Sequence, residues 1–421
     1  MKTKIVQMPY GREFLYIRIP AKNFQKIYTF KEPLGLKDEK KEIEISLRSP
    51  IKKHSLSSII DSKDRVSILI SDITRPVPSN KIVPAILNSL EDIPGKNIIG
   101  VIATGLHRSN TKQELKTMLG HDVLKKIKVV NHDAFDKEKL AYVGNTSRGT
   151  ELEINKLVRN SDKIIATGYI EPHEFAGFTG GRKSILPGVS GSNAINYNHR
   201  LENLDHPKAK IGILEGNPIH EDMVEAAKMA NVDFIVNVVL NSKKEITKVV
   251  AGDMIKAHQE GISFYKKYAQ VRIDEPTDII VTSSGFPLDI NFYQAVKSII
   301  AAEPFVVEGG TIILLAKCEK GFGGDMFYKW MTSFSSPADI IKKIQRKGYR
   351  ADIDHCYLLA RILEKKDIIV VSKQQSLQDI KDSLLKVTSS IEKAISYTLN
   401  KKGKNSKIAF LPYATHFVPK F

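Results

Sequence analysis

The chain has 421 residues, 42% hydrophobic and 26% charged, and its 64 lysines and arginines against 47 acids give a net charge of +17 at pH 7. This is the balance of a globular protein of two or three domains, and it excludes collagen-like, coiled-coil and disordered chains. The cysteines Cys318 and Cys356 are too few for a disulfide framework and too far apart for a CxxC metal or redox motif, so they read as reduced, buried thiols.

At the start, MKTKIVQMPYGREF carries lysines, but Gln7, Pro9 and Gly11 break the apolar run that a signal peptide needs. No apolar stretch approaches the ~18 residues of a membrane helix. The expectation is a cytoplasmic protein without membrane contact. The positive charge is dispersed: lysines alternate with acids in KDEKKEIE and LEKKDIIV, and no RNA-recognition, zinc-finger or homeodomain signature is present. A solvated lysine-rich surface is therefore favoured over a nucleic-acid partner.

Short Ile/Val-rich runs recur along the chain: VSILIS (66–71), IIGVIA (98–103), IKVVNH (127–132), KIIATG (163–168), DFIVNVVL (233–240), DIIVTS (278–283), TIILLA (311–316), DIIVVS (367–372) and KIAFLP (407–412). Helix-like patterns separate them, among them KIVPAILNSLED, TKQELKTMLG, HEDMVEAAKMA, NFYQAVKSIIAAE and a long DIKDSLLKVTSSIEKAISYTLNKK. Repeated strand and helix runs predict an α/β fold with mostly parallel sheets flanked by helices. The segment VRIDEPT places a domain boundary near residue 272, giving a cofactor-binding and catalytic domain over 1–272 and a second α/β domain over 273–421, with the last ~15 residues returning to the first domain.

In open α/β sheets ligands bind beyond the carboxyl ends of strands. Polar clusters sit there after four of the predicted strands: DITRPVP with Asp72 and Arg75, TGLHR with His107 and Arg108, YIEPHEFAGFTGGRK with His173 and Lys183, and SGFPLDINFYQAVK with Asp289, Tyr293, Gln294 and Lys297. Their division between the two domains predicts an active site in an interdomain cleft. Arg75, in a proline-stiffened loop, suits a carboxylate or phosphate, the alternative being a salt bridge to Asp72. His107, directly off a strand, suits a general acid or base, although any single histidine among 11 is more often structural. Residues 175–191 carry five glycines, either a structural turn or a close approach to a ligand. The spacing matches neither a P-loop nor a dinucleotide fingerprint. Lys183 there suits a phosphate ligand or a covalent anchor. Spacing alone names no metal.

Taken together and in order, TRPVP, TGLHR, EPHEFAGFTGGRKSILPG, NYNH, EGNPIHEDM, FIVNVV and GFPLDINFYQAVK resemble the nickel-pincer lactate racemase family, from about residue 9 to beyond 300 and more loosely to the C-terminus. The resemblance implies a racemase of a small anionic 2-hydroxy acid, lactate first, working through pyruvate. It also implies a nickel cofactor: pyridinium-3-thioamide-5-thiocarboxylic acid mononucleotide, covalent on Lys183, with His199 as the protein's nickel ligand and dedicated maturation enzymes as partners. By the same resemblance His107 and His173 exchange the substrate hydroxyl proton, and Arg75 clamps the carboxylate. Asp72, Thr104, Gly105, Arg108, Gly180 and Gly181 surround the cofactor, and Tyr293, Gln294 and Lys297 contact substrate. An aromatic wall late in the chain falls on Tyr357 as the candidate.

These residue types suit the reaction. A carbanion beside a carboxylate is poorly stabilised, so transfer of hydride to give a planar 2-keto acid is the easier route, and it needs a base on the hydroxyl, a hydride acceptor and a carboxylate anchor. Two histidines allow reduction on either face. The alternatives are an epimerase of another 2-hydroxy acid, a Schiff-base lyase using Lys183, and a nucleic-acid-binding protein.

Overall fold

The nine Ile/Val runs become strands of two six-stranded sheets. In the computed structural model, which describes residues 2–347, 350, 353–372 and 380–420, each sheet belongs to its own compact unit: Glu32–Tyr268 forms one, and Met1–Lys31 with Ala269–Phe421 forms the other.

The sheet of the 32–268 unit runs in the order Ile246–Gly252, Phe234–Leu240, Lys163–Tyr169, Val66–Ser71, Ile98–Ala103, Lys128–Asn131. All neighbours are parallel except the antiparallel pair at the Ile246–Gly252 edge. Val66–Ser71 is central and buried on both faces, which is why it reads as an unbroken apolar run. Ile68, Ile70, Ile102, Ile165 and Val236 of this sheet share a core with Ile82 and Ile86 of the helix Ser79–Ser89 and with Leu119 and Val123 of the helix Lys112–Lys126. That last helix is started by a capping box between Thr111 and Glu114.

The other sheet is parallel throughout, in the order Lys386–Thr388, Asp367–Val371, Val306–Leu315, Thr277–Ser283, Ile408–Pro412, Phe24–Ile27. Two expectations are corrected here. Residues 1–272 are not one unit, because the antiparallel hairpin Thr3–Tyr10/Glu13–Pro20 turns Val6, Met8, Ile17 and Ile19 into the core that holds Ile279, Val281, Ile313 and Phe410. Phe24–Ile27 then completes that sheet's edge. The last residues pair with segments that the expectation assigned to the first domain, Ile408–Pro412 with Phe24–Ile27 and Val418–Lys420 with Gln270–Arg272, and both pairs lie inside one unit. The long helix expected over 379–402 is also shorter. Val387 and Thr388 pair with Val370 and Val371 as a strand, and Ser390 caps a fresh helix, Ile391–Lys402, by accepting from the Lys393 amide. Residue 379 lies outside the described residues. Cys318 and Cys356 are buried, as read from the sequence.

Candidate functional site

Three adjacent strands of the 32–268 sheet, Lys163–Tyr169, Val66–Ser71 and Ile98–Ala103, deliver three of the polar loops at their carboxyl ends. Asp72 follows the middle strand, is buried, and accepts from the Thr74 amide at 2.8 Å. Its Oδ2 lies 3.1 Å from His107 Nδ1, which the turn Thr104 to His107 brings across from the neighbouring strand. Burial opposes ionisation of Asp72, yet its hydrogen bonds to His107 and Thr74 and the charge of Arg75 bring the carboxyl down to about 2. An ionised Asp72 therefore accepts Nδ1–H of His107 and leaves Nε2 as the basic nitrogen.

Arg75 keeps its charge against desolvation because Tyr169, Asp72, Glu171 and Glu174 surround it. The salt bridge that could have immobilised it on Asp72 is absent; the carboxylate is taken by His107. Thr104 is buried and donates to the His132 carbonyl at 2.8 Å, while Gly105, with φ +55°, donates to the Gly188 carbonyl at 2.9 Å. The Gly105 contact ties the 104–108 turn to the glycine-rich segment. Arg108 points elsewhere: its guanidinium forks onto Glu114 at 2.7 and 2.8 Å.

The third loop makes a short hairpin, Pro172–His173 against Gly177–Phe178, followed by the tight turn Gly181–Ser184. Gly180 has φ +81° and its missing side chain lets Asn237 Oδ1 approach; a Cβ would meet that oxygen at 2.8 Å. Asn237 Oδ1 in turn accepts from the Gly181 amide at 2.8 Å. The close approach predicted for the glycines is thus used internally at Gly180 and Gly181, and it sets where the next residues point.

Lys183 Nζ lies 3.2 Å from His173 Nε2. His173 Nδ1 lies 3.4 Å from Glu174 Oε2. Phe175 stands edge-on between two imidazoles, with centroids 4.6 Å from His173 and 5.1 Å from His199. His199 ends the helix Ser192–Asn198 and is buried, with Nδ1 donating to the Ile195 carbonyl at 3.0 Å. Burial, then the charge of Lys183, push its pKa down to about 3, so the ring is neutral and its lone pair sits on Nε2. Behind it, fully buried Asp222 accepts from Thr146 Oγ1 at 2.6 Å, Thr150 Oγ1 at 2.7 Å and Asn198 Nδ2 at 2.7 Å, anchoring the residue before His199.

The structure therefore brings Lys183, His173 and His199 together around Phe175, and Asp72, His107 and Arg75 together on the adjoining strands. Sequence reasoning missed Glu174, Phe175 and Asp222; an acid and an aromatic directly after His173 in EPHEF were the available signal. Tyr293, Gln294 and Lys297 lie in the other unit, on one side of the helix Phe292–Ala302, where Asn291 caps the start by accepting from the Gln294 amide. Asp289 is structural: Oδ2 accepts from the Gly11 amide at 2.5 Å, holding the hairpin turn. Tyr357 does not present an open aromatic wall; it is buried in the helix Asp354–Lys365.

Among the described residues no three or more His, Cys, Asp or Glu side chains group so as to hold a metal alone. A neutral, backbone-oriented His199 beside a lysine instead fits a metal whose remaining donors come from a group carried on that lysine. No helix is long and apolar enough to cross a membrane among the described residues.

The chain is similar to known proteins along nearly its whole length. The lactate racemase N-terminal domain model matches residues 10–212, and the lactate racemase C-terminal domain model matches 273–417. The lactate racemase of Thermoanaerobacterium thermosaccharolyticum is 37% identical over 414 residues, and that of Lactiplantibacillus plantarum 34% identical over 416, each alignment covering 97% of both chains. The solved lactate racemase apoprotein from T. thermosaccharolyticum aligns with a TM-score of 0.92 at 36% identity, covering 99% of this chain and 100% of that one. A Thermotoga maritima protein, 17% identical with a TM-score of 0.67 over 93% of this chain and 100% of its own, shares the fold. With both domain models matched and full-length relatives above a third identical, the chain belongs to the lactate racemase family.

Proposed function

We propose that this protein racemises lactate, with a nickel pincer nucleotide tethered to Lys183. The observation that carries the reading is the pairing of Lys183 Nζ with His173 Nε2 at 3.2 Å, set beside a neutral His199 whose Nδ1 is committed to the Ile195 carbonyl. When bound, the cofactor supplies a reversible acceptor for the hydride at C2 of the hydroxy acid. His199 would offer Nε2 to the metal, and Asp72 and the Thr104–Gly105 turn, which bonds to Gly188 of the glycine-rich segment, would contact the nucleotide. Arg75 holds the substrate carboxylate by charge.

His107 takes the hydroxyl proton at Nε2 as C2 is oxidised, and Asp72 stabilises the imidazolium through Nδ1–H. His173, whose Nδ1 accepts from the Ala176 amide at 3.4 Å with Glu174 nearby, would exchange the proton on the opposite face. The keto acid, here pyruvate, turns between the two bases before reduction and emerges as either enantiomer. The substrate is a small anion, and the cofactor comes from maturation enzymes.

The test is to make the chain together with those enzymes and assay both enantiomers of lactate. Racemisation, an adduct mapped to Lys183 by intact mass and its loss in Lys183→Ala support the reading. His199→Ala keeps the organic adduct and loses nickel. No racemisation of lactate by protein carrying the Lys183 adduct contradicts the substrate assignment, and an adduct on another lysine contradicts the tether.

A further inference from the structure

Arg182 and His220 belong to the conspicuous segments GGRK and EGNPIHEDM, yet neither has a part in the racemase site. They meet in the 32–268 unit at a cavity of about 340 Å³, whose walls also include His258 and Gln259. This is the lower end of the size of small-molecule pockets. None of Asp72, Arg75, His107, His173, Lys183 or His199 lines it.

The inner wall is cationic and without an anion. Arg182 is only 1% exposed. Its guanidinium donates to the carbonyls of Ala176 at 2.8 Å, Gly180 at 3.1 Å and Thr179 at 3.3 Å, and no carboxylate pairs with it among the described residues. Its Nε has no hydrogen-bond partner among the described residues. A buried charge held only by carbonyl dipoles and the His258 ring, 3.4 Å away, is costly unless an anion faces it, and burial pulls Arg182 down to about 9. His220 sits in the same field: its Nδ1 is buried without a partner, and burial together with Arg182, His258 and Lys183 brings its pKa to about 2. His258, donating from Nε2 to the Thr179 carbonyl at 2.7 Å, is brought to about 3 by burial and Arg182.

The acids that also line the cavity leave this charge in place. Glu221 is already engaged, accepting from the Gly216 amide at 2.7 Å and from Arg148 at 2.6 Å. Glu215 is exposed, where solvent screens it.

We propose that the cavity walled by Arg182, His220, His258 and Gln259 binds a small oxyanion, a monocarboxylate or inorganic phosphate, at a site additional to the racemase centre. The anion would face the buried guanidinium and accept from His220 and the Gln259 amide.

The test uses the full chain made without cofactor, at pH 6.5 and constant ionic strength. The ring resonances of His220 and His258 are followed by NMR while inorganic phosphate or lactate replaces sodium chloride. A saturable shift of both rings with either anion supports the site: phosphate alone identifies a phosphate site, and lactate alone, persisting in Arg75→Ala, identifies a carboxylate site. His220→Gln should weaken binding by about tenfold or more, read on His258. Arg182→Gln should abolish it, and if that variant does not fold, His220→Gln and Gln259→Leu decide. Absence of a saturable shift with both anions, or unchanged affinity in the folded variants, overturns the proposal.

Discussion

Asp72 Oδ2 and His107 Nδ1 are hydrogen-bonded at 3.1 Å, whereas Glu174 Oε2 lies 3.4 Å from a His173 Nδ1 that accepts from the Ala176 amide at 3.4 Å. Each candidate base has a carboxylate near the same nitrogen, although the pairs arise on different strands and one acid precedes its histidine in sequence while the other follows.

Asp72→Asn and Glu174→Gln should each lower kcat by roughly 10- to 100-fold, the usual cost of removing a partner that orients an imidazole. The adduct on Lys183 should survive in both. Steady-state rates for each lactate enantiomer, with intact mass as the control, check this. Asp72 also leaves a signature in stability: a carboxyl lowered to about 2 in the folded protein stabilises it above the unfolded value near 4, and the gain is lost as pH falls from there through 2. The stability difference between wild type and Asp72→Asn should shrink over that window in urea melts.

Buried histidines set the acid limit of the 32–268 unit. Burial lowers His132, takes His220 to about 2 and takes His258 to about 3. Below about pH 6.5 the unfolded chain binds protons at these positions that the folded chain refuses, so stability falls as pH drops, by about 1.4 kcal/mol per pH unit for each histidine. Melting temperature measured from pH 8 to 5 should decline mainly below 6.5, and the slope should be shallower in His220→Gln.

Asp222→Ala should destabilise the protein by about 3 kcal/mol, because it strands the hydroxyls of Thr146 and Thr150 and the Asn198 amide in a dry interior. Asn198 immediately precedes His199, so nickel retention should fall in this variant while the organic adduct remains. Metal analysis and intact mass on the same sample separate the two effects.

The central parallel strands were legible because burial on both faces leaves uninterrupted Ile/Val runs, as in Val66–Ser71. The hairpin Thr3–Tyr10/Glu13–Pro20 and the edge strand Ile246–Gly252 were not: one is an alternating pattern broken by charges, the other an antiparallel edge. The allegiance of the first 31 residues depends on pairing Phe24–Ile27 with Ile408–Pro412, a contact between opposite ends of the chain that no local pattern encodes. The loops carrying Asp72, His107 and Lys183 followed from the strand-end rule. Glu174 and Phe175 acquire their places only when the 172–178 hairpin folds back, and Asp222 reaches His199 only through its hydrogen bond to Asn198, the residue before it.

The fate of the C2 hydrogen tests the account most directly. Protein carrying the cofactor is given one enantiomer of lactate deuterated at C2, in ordinary water, and the label is followed as the racemate forms. Transfer as hydride keeps the deuterium out of exchange with solvent, so both enantiomers should retain most of it and a small amount of pyruvate should be trappable. Protons on histidine nitrogens exchange with water, so extensive loss of deuterium in the newly formed enantiomer would show removal as a proton and contradict the hydride mechanism.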